Sequence, residues 1–132
     1  MSEMMTISSD LKGARKVELR LLSAAGRCGY NEGALFAIKL ALEEGLNNAI
    51  RHGNGYDAKK SIRVGFDIDS RQVAITITDE GDGFDPDTVP DPTADENLEK
   101  PCGRGIMLMR AYMDEVTYNS RGNQVHLVKR NT

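Results

Sequence analysis

The sequence predicts an α+β fold, a two-layer sandwich whose mainly antiparallel mixed sheet carries its helices on one face. Three observations predict it. Two stretches with helical apolar periodicity precede the first clear strand pair. Two pairs of alternating segments follow, each joined by a short turn, so the paired strands run antiparallel. One more helical stretch lies between those pairs. Hairpins with segregated helices make two layers.

The elements follow in order. Met4 to Ser8 is expected to form a short edge strand, and Ser9 or Asp10 to cap a helix. Leu11 to Gly26 places Ala14, Val17, Leu21, Ala24 and Ala25 on one helical face. Gly26 to Tyr30 breaks it, and Asn31 caps a longer helix running to about His52, which Gly53 and Gly55 end. On this second helix Leu35, Ile38, Leu42, Gly45, Leu46 and Ala49 form one stripe. Beside it run Ala37, Ala41, Glu44 and Asn48, where small residues leave room for a ligand wedged between helix and sheet. Ile62, Val64, Phe66 and Ile68 alternate, Asp69-Ser70-Arg71 turns, and Val73, Ile75 and Ile77 alternate again. Asp79 shares the parity of that last trio, so a carboxylate stands where an aliphatic residue is expected, and it needs donors there. Residues 84–102 hold four prolines and little apolar material and read as a lid. Gly103 to Met113 reads as a helix, followed by a hairpin of Val116 and Tyr118 with Val125 and Leu127.

The 132 residues make one domain, 1–132, large enough to bury a core. A net charge of -3 and the lack of a polybasic run exclude a broad electrostatic nucleic-acid surface. No apolar run approaches the ~20 residues of a membrane span, and the first ten residues carry no signal-peptide core. Cys28 and Cys102 lie in no metal-like spacing and read as reduced thiols, so a soluble cytoplasmic protein is expected.

Three constellations carry chemistry. Glu44 and Asn48 share a helix face. A carboxylate there can take a proton from an attacking hydroxyl, and an amide oxygen is a hard ligand suited to magnesium. An ordinary exposed polar pair has the same spacing, as do Glu43 and Asn47, and spacing alone does not decide between the two pairs. Asp79, at a strand end ahead of Gly81 and Gly83, can accept from the exocyclic amine of adenine, a donor guanine lacks at that position. A plain Asp-Gly-Asp-Gly turn is the bland alternative. Gly103-Arg104-Gly105 opens a helix whose free N–H groups favour an anion, without the phosphate-loop or dinucleotide fingerprint. Each box is weak alone. Their order, with the lid between the glycines, reads as a site for ATP with magnesium. His52 reads as a helix-end residue, and His126 as facing the open side of the sheet.

On these residues the chain resembles the GHKL (Bergerat-fold) ATP-binding superfamily, and more narrowly the anti-sigma-factor serine kinases of bacterial partner switching. The resemblance rests on Leu42 to Gly53, Asp79 to Phe84, Gly103 to Ile106 and Arg110 to Val116. The family pattern of Glu, three residues, then Asn-Ala selects Glu44 and Asn48. It implies Glu44 as general base and Asn48 as magnesium ligand. It also implies Asp79 as the adenine reader, Gly81 and Gly83 as shapers of its pocket, and Gly103 with Gly105 facing the phosphates. Arg104 is expected to reach the terminal phosphate or a partner.

The resemblance further implies an ATP-dependent serine/threonine protein kinase that phosphorylates an antagonist protein, sequesters a sigma factor, and commonly forms a homodimer. A nucleotide-gated binding module of the same fold with little transfer activity is the alternative. A sensor histidine kinase would need dimerisation helices with a phosphoacceptor His, and a gyrase-like or chaperone-like ATPase a large further domain.

Overall fold

A computed structural model describes residues 1–57, 59–81 and 101–131, with the side chains of 101–105 outside the description. Strand β1 is Ser2–Ser8, helix α1 Leu11–Arg27 and helix α2 Glu32–Asn48. A π-helical turn, Ala49–Gly53, continues α2. Strands β2, Ser61–Ile68, and β3, Gln72–Thr78, are followed by helix α3, Pro101–Tyr112. Strands β4, Glu115–Tyr118, and β5, Gln124–Arg130, complete the order.

The local chemistry explains the boundaries. Asp10 is the α1 cap, its carboxylate accepting from the Gly13 N–H at 2.8 Å, and Asn31 caps α2 by accepting from Ala34 N–H at 2.8 Å. The Asp69 carboxylate accepts from the N–H groups of Arg71 and Gln72, at 2.7 and 2.9 Å, and closes the β2–β3 turn.

The sheet runs β1-β2-β3-β5-β4, and every ladder among the described residues is antiparallel, in keeping with the mainly antiparallel sheet expected. β1 is an edge strand, two residues longer than its expected start at Met4. Register pairs Ile7 with Ile62, Val64 with Ile77, Phe66 with Ile75, and Ile75 with Leu127. Period-two alternation therefore puts these side chains on one face, where they are buried together with Val17 and Leu21 of α1, Ile38, Leu42 and Leu46 of α2, and Met109 of α3. His126 meets Thr76 on the other face, Nδ1 to Oγ1 at 3.0 Å. Cys28 is a free, partly buried thiol. Among the described residues no helix is long and apolar enough to cross a membrane.

Two expectations shift. Pro101 and Cys102, read as the end of the lid, form the first turn of α3, where proline's missing N–H costs nothing. The rest of the expected lid, residues 84–100, lies outside the described residues. Ala37 and Ala41 do not border open space. They are 6% and 0% exposed, and α3 packs along α2. Small residues on this helix face let a neighbouring helix in, and room for a ligand begins only further along.

Candidate functional site

A cleft opens where the C-terminal end of α2 meets the ends of β3 and β5. Gly45, Asn48, Ala49, His52 and Gly53 form one wall. Ile77, Asp79, Tyr118 and the turn from Gly122 to Val125 form the other. Gly45 sets the depth of the helix against the sheet: a Cβ there would stand 2.8 Å from Ile77 Cδ1. A larger residue would require the Ile77 side chain to shift.

Asp79 lies one residue beyond β3 and is half-buried. Its backbone N–H donates to the Asn123 carbonyl at 3.0 Å, and its Oδ1 accepts from the Gly81 N–H at 2.8 Å. Burial raises the carboxyl above its ordinary value, opposed by the Gly81 hydrogen bond and by the charges of Arg121 and Lys60. Glycines make this packing possible. A Cβ on Gly53 would overlap the Asp79 carboxylate, and one on Gly81 would overlap the Gly53 carbonyl.

Asn48 is 9% exposed, and its Nδ2 has no hydrogen-bond partner among the described residues. A buried amide without partners is costly, and a polar ligand entering the cleft removes that cost. Asn48 and Asp79 thus line one cleft, the first with an unmade N–H donor and the second with a carboxylate acceptor.

Glu44 stands one turn before Asn48 and is half-buried, but it is not among the residues lining the cleft. Burial raises its carboxyl, the neighbouring Glu43 adds to this, and Arg51 opposes it. Glu43 and Asn47 point elsewhere. They line a groove against α1 with Leu11, Ala14, Arg15 and Glu18, and burial together with the neighbouring Glu43 raises the Glu18 carboxyl above its ordinary value. Packing separates the two pairs that spacing left equivalent.

The remaining predicted residues divide. Gly81 is buried against Gly53. Gly83 lies outside the described residues. Gly103 is in the first turn of α3, where backbone N–H groups lack an intrahelical acceptor, and Arg104 and Gly105 follow it along the helix. His52, read as a plain helix-end residue, lines the cleft, and its imidazole is shifted down by burial and by Arg51. Asn123 and Asn54 were not singled out by sequence. Both lie in turns, and the bonds that tie them to the Asp79 carbonyl and the Glu80 N–H span 44 and 26 residues, which no local pattern marks.

Comparisons with known proteins converge. Residues 7–129 match the family model described as histidine kinase-like ATPase domain. The chain is 30% identical over 122 residues to the serine-protein kinase RsbW of Bacillus subtilis, covering 86% of this chain and 75% of that protein. It is 29% identical over 109 residues to the serine-protein kinase RsbW of Oceanobacillus iheyensis, covering 78% and 69%. The solved RsbU and RsbW domains of a Mycobacterium tuberculosis protein superpose with a TM-score of 0.67 at 17% identity. That match covers 99% of this chain and 32% of the solved one, and it speaks for the fold.

Proposed function

From a chain that belongs to the histidine kinase-like ATPase domain family, we propose an ATP-dependent protein serine/threonine kinase that acts as an anti-sigma factor. One observation carries the reading: Asp79 and Asn48, whose amide nitrogen has no partner among the described residues, line one cleft between α2 and β3. Asp79 accepts from the adenine amine. Asn48 gives its amide oxygen to magnesium. Gly81 and Gly83 shape the base pocket, while Gly103, Arg104 and Gly105 at the start of α3 serve the phosphates. Bound magnesium-ATP supplies the transferable phosphoryl group and the counter-charge for it. Glu44 takes the proton from the attacking serine or threonine hydroxyl, and its raised pKa makes it a stronger base than an ordinary carboxylate.

The phosphate acceptor is an antagonist protein. The unphosphorylated antagonist and a sigma factor compete for this chain, which works in the cytoplasm as a homodimer. Labelled ATP with magnesium, added to the chain and the antagonist that co-purifies with it in ADP, tests the proposal. Phosphoserine or phosphothreonine on the antagonist is expected. Tight ATP binding without transfer would leave a nucleotide-gated binding module, a reading favoured by Glu44 lying off the cleft's lining. Failure of magnesium-ATP to bind would overturn both.

A further inference from the structure

Asn54 follows the π-helical turn and is 2% exposed, though its side chain is an amide. Burying an amide is unfavourable unless its hydrogen bonds are made, and here each side-chain atom is engaged. Nδ2 donates to Ser9 Oγ and to the Ser61 carbonyl, both at 3.1 Å, and Oδ1 accepts from the Glu80 N–H at 2.8 Å. Its own N–H donates to the Ala49 carbonyl at 2.8 Å and closes the turn. Ser61 in turn holds the Glu80 carboxylate through its N–H and, at 3.1 Å, its hydroxyl. The chain just after Asp79 is therefore fixed by Asn54, and the N–H of Asp79 itself by Asn123. With both neighbouring peptides held, the carboxylate is confined to the space above Gly53.

We propose that Asn54 is a positioning residue that aims Asp79 and so sets the preference for a 6-aminopurine over a 6-oxopurine. This rests on the assignment of Asp79 as the base reader. A mere structural staple would support the fold without affecting which base is chosen.

Calorimetric affinities for ADP and inosine diphosphate separate these, since the two differ only in the 6-substituent and the proton that the 6-oxo form carries on N1, and neither can donate a γ-phosphoryl group. The unaltered chain is expected to prefer ADP by about tenfold to a hundredfold, the worth of one hydrogen bond to a charged group. Asn54→Ala is expected to bring the two affinities within about threefold of each other by loosening Asp79. Asn54→Ser is the gentler variant should the alanine form fail to fold, and the same loss is expected. The Glu80 amide proton, having lost its acceptor, should move upfield in both variants. An unchanged ADP preference in folded Asn54→Ala or Asn54→Ser overturns the inference while leaving the base reader intact. An unchanged preference in Asp79→Asn overturns the base reader and the inference with it.

Discussion

The Asp79 carboxylate occupies the space that a side chain on Gly53 would need. Two residues 26 apart in sequence are thereby committed to each other, one by its charge and the other by having no side chain. The first prediction tests that commitment. Gly53→Ala must displace the carboxylate, and Gly81→Ala must displace the Gly53 backbone, which cannot swing aside as a side chain can. Overpacking of roughly 1–3 kcal/mol is expected in each, with Gly81→Ala the worse. Chemical denaturation and ATP titration check it. Wild-type stability with wild-type ATP affinity in Gly53→Ala would show that the two residues do not touch in solution.

Asp79 also ties stability to pH. Its folded-state pKa lies above the unfolded value of 3.8 because burial disfavours the charge. Its contribution to stability is fully present below that unfolded value and is lost as pH rises through the folded one. At about pH 7 the ionised group opposes folding, so Asp79→Asn should melt higher than the unaltered protein without nucleotide. The gap should narrow on acidification. The same change should weaken ATP binding by roughly 1–3 kcal/mol, since a charge-assisted hydrogen bond is lost. A lower melting temperature at neutral pH would contradict the desolvation argument.

Glu44→Gln keeps shape and removes the base. ATP affinity should stay within a few fold while phosphoryl transfer falls by about 10²–10⁴. Asn48→Ala should impair magnesium-dependent ATP binding and transfer together. Glu43→Gln should do neither, because Glu43 lines the α1 groove. With burial raising Glu44, transfer by the unaltered chain should fall on acidification at a pH above the ordinary carboxylate value of 4.5. Transfer assays on the three variants, with a pH series on the parent, decide the matter. Loss in Glu43→Gln alone would reverse the choice of pair.

Tyr30 is 4% exposed and its hydroxyl donates to the Asp69 carbonyl at 2.8 Å, tying the α1–α2 link to the β2–β3 turn. Tyr30→Phe should cost about 1 kcal/mol, leaving a carbonyl short of one donor. Urea unfolding measures it. A neutral result would mean that water replaces the hydroxyl.

What the sequence made legible was what short-range physics decides. Asn31 announces α2 because a capping side chain acts three residues away, and β2 alternates because one face meets water. Asp79 stood out because its parity conflicts with its charge. The rest depended on distant partners. Ala37 and Ala41 looked like vacancy because nothing in α2 tells that α3 lies upon it. Glu43 and Glu44 were equivalent until α1 claimed one of them. Asn54 sits between two glycines and reads as a turn residue, yet it is bonded to Ser9, 45 positions earlier.

The π-helical turn after Asn48 has a consequence for how this chain can vary. The Asn54 N–H reaches back five residues to Ala49, so one residue more than an α-helical turn needs is held there. Each residue turns an α-helix by about 100°. Deleting any one residue of Ala49–Gly53 would swing everything beyond it by that angle, and Gly53 would no longer lie under Asp79. The segment thus behaves as a spacer of fixed count. Its length cannot change by one residue without taking the cleft apart.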